Sequence, residues 1–135
     1  MTGQNDNHPI QHIGGTIMVV MMDVEPEHEE EFNRWYNDEH LVERLEIPGY
    51  VSARRFKLEE GRGGVLKYLC IWELDDSSPL TSEEYKAQRL RPSELRDRVN
   101  TYITQRSRGV YKQIYPLEGS YEDHSGWNPE RVNQR

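Results

Sequence analysis

FNRWYNDEHLVERLEIPGYVSARRF, residues 32–56, is the stretch that decides the reading of this chain. Phe32, Trp35, Tyr36, Val42 and Leu45 fall at spacings that give one apolar stripe on a helix. Pro48-Gly49 closes that helix, and Tyr50 to Leu58 reads as a strand. The second half of the helix also carries Asp38, Glu39 and His40. A partly apolar helix rarely gathers an indole, a phenol, an imidazole and two carboxylates unless some of them face a pocket. Histidine adds a side chain that reaches both protonation states near neutral pH.

Upstream, Pro26 suits the first position of the helix. Glu25, Glu27, Glu29, Glu30 and Glu31 crowd its first turns, where negative charge meets the positive end of the helix dipole. TIMVVMMDV, Thr16 to Val24, is an apolar run of strand length without alternation, which predicts a strand covered on both faces. Downstream, Glu60 to Gly64 is a glycine loop. Val65 to Leu74 is the clearest strand, with Leu66, Tyr68, Cys70 and Trp72 on one face. Thr81 and Glu84 form a capping-box pattern before a short helix around Tyr85 to Arg89. After Arg91-Pro92, Ser93 caps a second helical piece whose stripe is Leu95, Val99, Tyr102 and Ile103. Val110 to Tyr115 is read as the last strand.

The order strand, helix, strand, strand, helix, strand predicts an α+β fold, the ferredoxin-like βαββαβ unit with a four-stranded antiparallel sheet. Residues 15–116 form that domain, between an N-terminal arm (1–14) and an extended C-terminal tail (117–135). Helices on one face leave the other face of the sheet bare, and a second copy would cover it, pairing two sheets as a dimeric α/β barrel.

Of the 135 residues only 34% are hydrophobic, which is lean for a compact monomer and agrees with solvated tails and a partner subunit. The net charge of -7, with basic residues dispersed among acids along the sequence, disfavours nucleic acid and an anionic membrane surface. The run around Ile17 to Met22 is too short to span a bilayer. The single cysteine, Cys70, lies in an apolar run, fits a reducing compartment, and forms neither an intrachain disulfide nor a thiolate cluster. With no signal-peptide pattern at the start, the expected location is cytoplasmic. His40 with Asp38 or Glu39 has no recognised metal spacing, and the chain has neither a phosphate-binding glycine loop nor a nucleophile elbow, so neither a metal nor a cofactor is expected.

FNRWYNDEHL, PGYVSARRF, KYLCIWEL and VYKQI together resemble the dimeric α/β-barrel superfamily, and within it the EthD-like branch. The likeness runs from about Thr16 to Tyr115; Val42 stands where that branch tends to have proline. The superfamily holds cofactor-free monooxygenases, polyketide cyclases, decarboxylases, dehydratases, haem-degrading enzymes and members of unknown role. The resemblance implies a pocket between the sheet and the first helix, lined by His40.

The residues then take expected roles. His40 and Tyr36 are the catalytic candidates, as proton carrier and as donor to a developing oxyanion. Trp35, Glu39, Arg54, Tyr68, Trp72 and Tyr111 are the candidate substrate contacts, and Arg54 and Arg55 point to opposite faces of their strand. The expected partner is a small hydrophobic molecule, aromatic or polyketide-like, in an enclosed apolar hollow. The expected reaction is lyase-type (dehydration, decarboxylation or cyclisation). Cofactor-free oxygenation and non-catalytic small-molecule binding are the alternatives.

Overall fold

The computed structural model describes residues 15–116; the arm and tail expected at residues 1–14 and 117–135 lie outside them. Strand β1 (Thr16–Val24) leads through a single 3-10 turn (Pro26–His28) into helix α1 (Glu29–Trp35). A π turn (Tyr36–His40) and helix α2 (Leu41–Arg44) follow. Strands β2 (Tyr50–Lys57) and β3 (Tyr68–Leu74) come next, then helices α3 (Glu83–Leu90) and α4 (Glu94–Asn100), and strand β4 (Ile103–Lys112). All pairings are antiparallel, and the sheet order is β2-β3-β1-β4. This is the ferredoxin-like fold expected from the sequence. Among the described residues no helix is long and apolar enough to cross a membrane.

The core lies between the helices and one face of the sheet. Tyr68, Cys70, Trp72 and Leu74 alternate inward along β3 and are all buried, as the pattern of that strand predicted. Phe32, Trp35 and Tyr36 pack on them from above, and Val99 of α4 closes the layer. Gly49 has a φ of 95°, and any side chain there would collide with Pro79, so the turn into β2 requires glycine. The register then slips between Tyr50 and Ser52, and Arg55 comes opposite Cys70 on the helix side.

Several boundaries differ from the sequence reading. The expected single helix from Pro26 onward is broken into the four pieces above. The N-cap of α3 is Ser82, whose Oγ accepts from the Tyr85 N–H at 3.2 Å, whereas Thr81 turns its hydroxyl back to the Ser78 carbonyl. Ser93 caps α4 as expected, accepting from the Arg96 N–H at 3.1 Å. Strand β4 begins at Ile103, well before Val110. Its residues Thr104 to Arg108 are exposed and polar on an edge strand, so they carry no apolar alternation to betray it.

Among the described residues nothing covers the face away from the helices, and it is largely apolar. Ile17, Val19 and Met21 of β1 share it with Leu69 and Ile71 of β3 and with exposed Phe56 of β2. The Thr16–Val24 run, expected to be covered on both faces, is covered on one by the described residues.

Phe32 is fully enclosed by Trp35, Tyr36 and Tyr68, so its truncation opens a void that these rigid rings cannot fill. Phe32→Ala is expected to lower the unfolding free energy by about 3–5 kcal/mol, read from urea denaturation.

Candidate active site

The π turn sets the site. The Leu41 N–H reaches back five residues to the Tyr36 carbonyl. In an α-helix residues three and four apart stack on one face. The wider turn brings residue 40 over residue 35 instead. His40 and Trp35 rings lie parallel within 17°, their centroids 4.6 Å apart. His40 also meets Tyr36 and Trp72 edge-on, at 4.9 and 5.5 Å. Three aromatic rings therefore enclose the imidazole, and it remains half-buried at the wall of a cleft.

Trp35 is itself fastened. Its Nε1–H donates to Glu39 Oε2 at 3.1 Å, and the same oxygen accepts from Ser93 Oγ at 2.8 Å. Glu39 thus clamps the π turn to the N-terminus of α4. Its role is to fix the indole under His40.

The cleft has a volume of about 250 Å³ and is lined by Trp35, His40, Arg44, Arg89 and Arg96, with Met22 and Asn100. The expectation of an enclosed, greasy hollow is corrected here: the walls beside His40 are cationic. Arg44 is positioned by α3. Its Nη1 donates to Gln88 Oε1 at 2.8 Å, and its guanidinium lies 5.1 Å from the Tyr85 ring centroid. Gln88 is buried, and its amide donates in turn to the Glu43 carbonyl. Among the described residues, neither Arg44 nor Arg89 has a carboxylate within ion-pair distance; Arg96 has Asp97, at 3.7 Å and largely exposed.

These surroundings act on His40 in one direction. Burial against the rings, and then the charges of Arg44, Arg55 and Arg96, push its pKa down from 6.5 to about 3. At neutral pH the imidazole is therefore uncharged, with one nitrogen free to accept and the other to donate.

Other candidates fall elsewhere. Trp72 lies beneath His40 but is fully buried in the core. Tyr36 is buried away from the cleft, beside Cys70, and its Oη has no hydrogen-bond partner among the described residues. Burial, with Cys70 next to it, raises its pKa far above the phenol range, and burial pushes the Cys70 thiol up to about 11. Tyr68 is engaged by Glu29 and by Asn33, whose Nδ2 lies 3.3 Å from its Oη, outside the cleft. Arg54 and Tyr111 point to the bare face of the sheet, because their registers place them opposite Ile71 and Ile17. Neither reaches His40.

Arg55 is the residue that turns inward. It donates to Asn37 Oδ1 and Asn33 Oδ1, each at 2.9 Å, and its guanidinium sits 4.2 Å from the Tyr36 centroid. Glu25, Glu27 and His28 bring ligand atoms within 4.8 Å of one another, but none of them lines the cleft.

The sequence reading missed Arg44, Arg89 and Arg96. Arg44 stands four residues after His40, which was a usable signal. Arg89 and Arg96 flank the Arg91-Pro92 break, and only the fold brings them to His40.

No known family model and no curated protein matches this chain. Solved structures do share its fold. A dimeric ferredoxin-like protein from an uncultured marine organism aligns with a TM-score of 0.58 at 12% identity, over 79% of this chain and 94% of its own. A Nitrosomonas europaea protein, named as a candidate antibiotic biosynthesis monooxygenase, aligns at 0.52 and 14% identity, over 77% and 95%. An EthD (ethyl tert-butyl ether D) family protein from Bacillus halodurans C-125 aligns at 0.50 and 17% identity, over 73% and 99%. The expected resemblance is thereby seen at the level of fold.

The depressed histidine makes stability depend on pH. Below pH 6.5 the unfolded chain takes up a proton at residue 40 that the folded chain refuses until about pH 3. Within that window His40 alone lowers the unfolding free energy by about 1.4 kcal/mol per pH unit as pH falls. His40→Gln is expected to flatten the pH dependence by close to one proton, measured by urea unfolding of both proteins across the window.

Proposed function

We propose that the chain is a small-molecule enzyme whose reactive centre is the cleft at His40, and that it catalyses a lyase-type proton transfer such as dehydration, decarboxylation or ring closure. One observation carries this reading: a neutral imidazole stacked on Trp35 stands beside Arg44, which among the described residues has no carboxylate within ion-pair distance, and Arg96, whose one such neighbour is the largely exposed Asp97 at 3.7 Å. The neutral ring is the proton-accepting form at physiological pH. As it takes a proton from an acidic C–H or O–H of the substrate, negative charge grows on the substrate oxygen, and Arg44 and Arg96 are placed to stabilise it. The imidazolium then sits against an anion, which offsets the desolvation that keeps the free ring neutral. It can return its proton to a leaving group or a carbanion.

A second reading has the same first step. The fold shared with the candidate Nitrosomonas europaea monooxygenase favours direct reaction of the arginine-stabilised anion with dioxygen. Incubation with a pool of phenolic and keto-acid metabolites, with and without oxygen, followed by mass spectrometry, separates the two. The lyase reading expects the same product in both atmospheres. His40→Ala is expected to cut turnover by about 100-fold or more while leaving the fold intact by circular dichroism. Unchanged turnover in that variant would remove the proposal.

The active form in this reading is a homodimer joined through the bare sheet faces. The apolar patch around Val19, Met21, Phe56 and Leu69 supports it, since such a surface is rarely left to water. A two-fold interface would contain each substitution twice. Val19→Glu is therefore expected to convert a dimer into a folded monomer in analytical ultracentrifugation.

A further inference from the structure

We propose that the substrate is a compact organic carboxylate, already charged before reaction, whose anionic group is received by Arg44, Arg89 and Arg96 in the cleft beside His40. This inference rests on the reading of the cleft as the substrate site.

Three observations carry it. First, an acidic chain of net charge -7 gathers three guanidinium groups from three helices around one hollow. Arg44 comes from α2, Arg89 from α3 and Arg96 from α4. Stabilising an enolate that exists only in passing needs one or two donors; three lasting charges match a lasting anion.

Second, among the described residues these charges meet little local neutralisation. Glu39 turns its Oε2 to Trp35 and Ser93, Glu43 faces Arg91 at 3.7 Å, and Asp97 is mostly in water. The Gln88 amide oxygen and the Tyr85 ring hold Arg44 in place and leave its charge uncancelled. A fork of N–H donors fixed in this way is pre-organised for a planar two-oxygen group.

Third, the 250 Å³ volume lies below the range of pockets for drug-sized ligands, and Met22 and Trp35 give it an apolar side. That size, with its apolar side, favours a small organic acid over a long polyketide chain or a bare inorganic ion.

The groups facing His40 are Arg44, Arg55 and Arg96, with Trp35, Tyr36 and Trp72 as rings. An anion in the cleft opposes the charges of Arg44 and Arg96, so binding raises the imidazole pKa while the larger effect of burial remains.

Benzoate, its neutral isostere benzamide, and inorganic phosphate are titrated into the full-length protein by calorimetry in buffers of different ionisation enthalpy. Benzoate is expected to bind, benzamide at least about tenfold more weakly, and Arg44→Gln and Arg96→Gln are each expected to cost about tenfold in benzoate affinity. The exposed Arg89→Gln serves as the milder variant, with a smaller loss, and thermal melts confirm that each variant is folded. Equal affinity for benzoate and benzamide, no binding of benzoate, or phosphate binding tighter than benzoate would overturn the inference. The reading of His40 fails separately: carboxylate binding with unaltered turnover in His40→Ala removes the proton-transfer role and leaves the carboxylate site standing. Turnover of a neutral substrate that depends on His40, with no carboxylate binding, does the reverse.

Discussion

The π turn at Tyr36–His40 is the constraint on which the site depends. A continuous α-helix would rotate residue 40 away from residue 35 and would stack it above Tyr36. The wider turn lets the indole of Trp35 carry the imidazole, and it frees Tyr36 to drop into the core beside Cys70. Such turns forfeit regular hydrogen bonding and persist where the surroundings hold them. Here Glu39, inside the turn, is that support. It bonds the indole N–H on one side and the Ser93 hydroxyl on the other, so one carboxylate secures the stacking partner of the histidine and joins the first helical layer to the second.

Electrostatics follow from this placement. With Trp35, Tyr36 and Trp72 around it, His40 is partly shielded from water that would solvate a charge, and the arginines add repulsion in the same sense. Neutrality is thus imposed twice, by desolvation first and by like charge second. Arg55 belongs to this arrangement although it does not line the cleft. It lies among the faces of Phe32, Tyr36 and Tyr68, held by two asparagine side-chain oxygens, so its charge is spread over π systems and amide dipoles. A carboxylate in place of either asparagine would cancel one of the charges that bear on His40.

Much of the fold was legible because its signals are local. The alternation of Tyr68, Cys70 and Trp72, the Pro48-Gly49 break and the Ser93 cap each depend on a few neighbouring residues, and each appears where the sequence places it. The site was legible in part. His40 and Trp35 stood out by residue type, but the turn that joins them is a backbone irregularity stabilised from α4, a long-range contact that periodicity does not encode. The choice of Arg55 over Arg54 as the inward residue hung on a register slip after Tyr50. A one-residue shift exchanges the faces of a strand, so alternation gave the pair without its orientation. The start of β4 was hidden for a related reason: an edge strand facing water needs no apolar alternation.

The same geometry narrows which groups can react. Tyr36 and Cys70 are both driven toward their neutral forms by the burial that makes them good core residues, and neither lines the cleft. Glu39 has the right chemistry for a general base, but its Oε2 is occupied on both sides by the clamp. Among the described residues that line the cleft, His40 is the one that is uncharged at neutral pH and basic in kind. Its low proton affinity comes mainly from burial among the rings, and the arginine charges add to it. An anionic ligand in the cleft would oppose the Arg44 and Arg96 parts of that effect by Coulomb interaction at short range, whereas Arg55 lies outside the cleft.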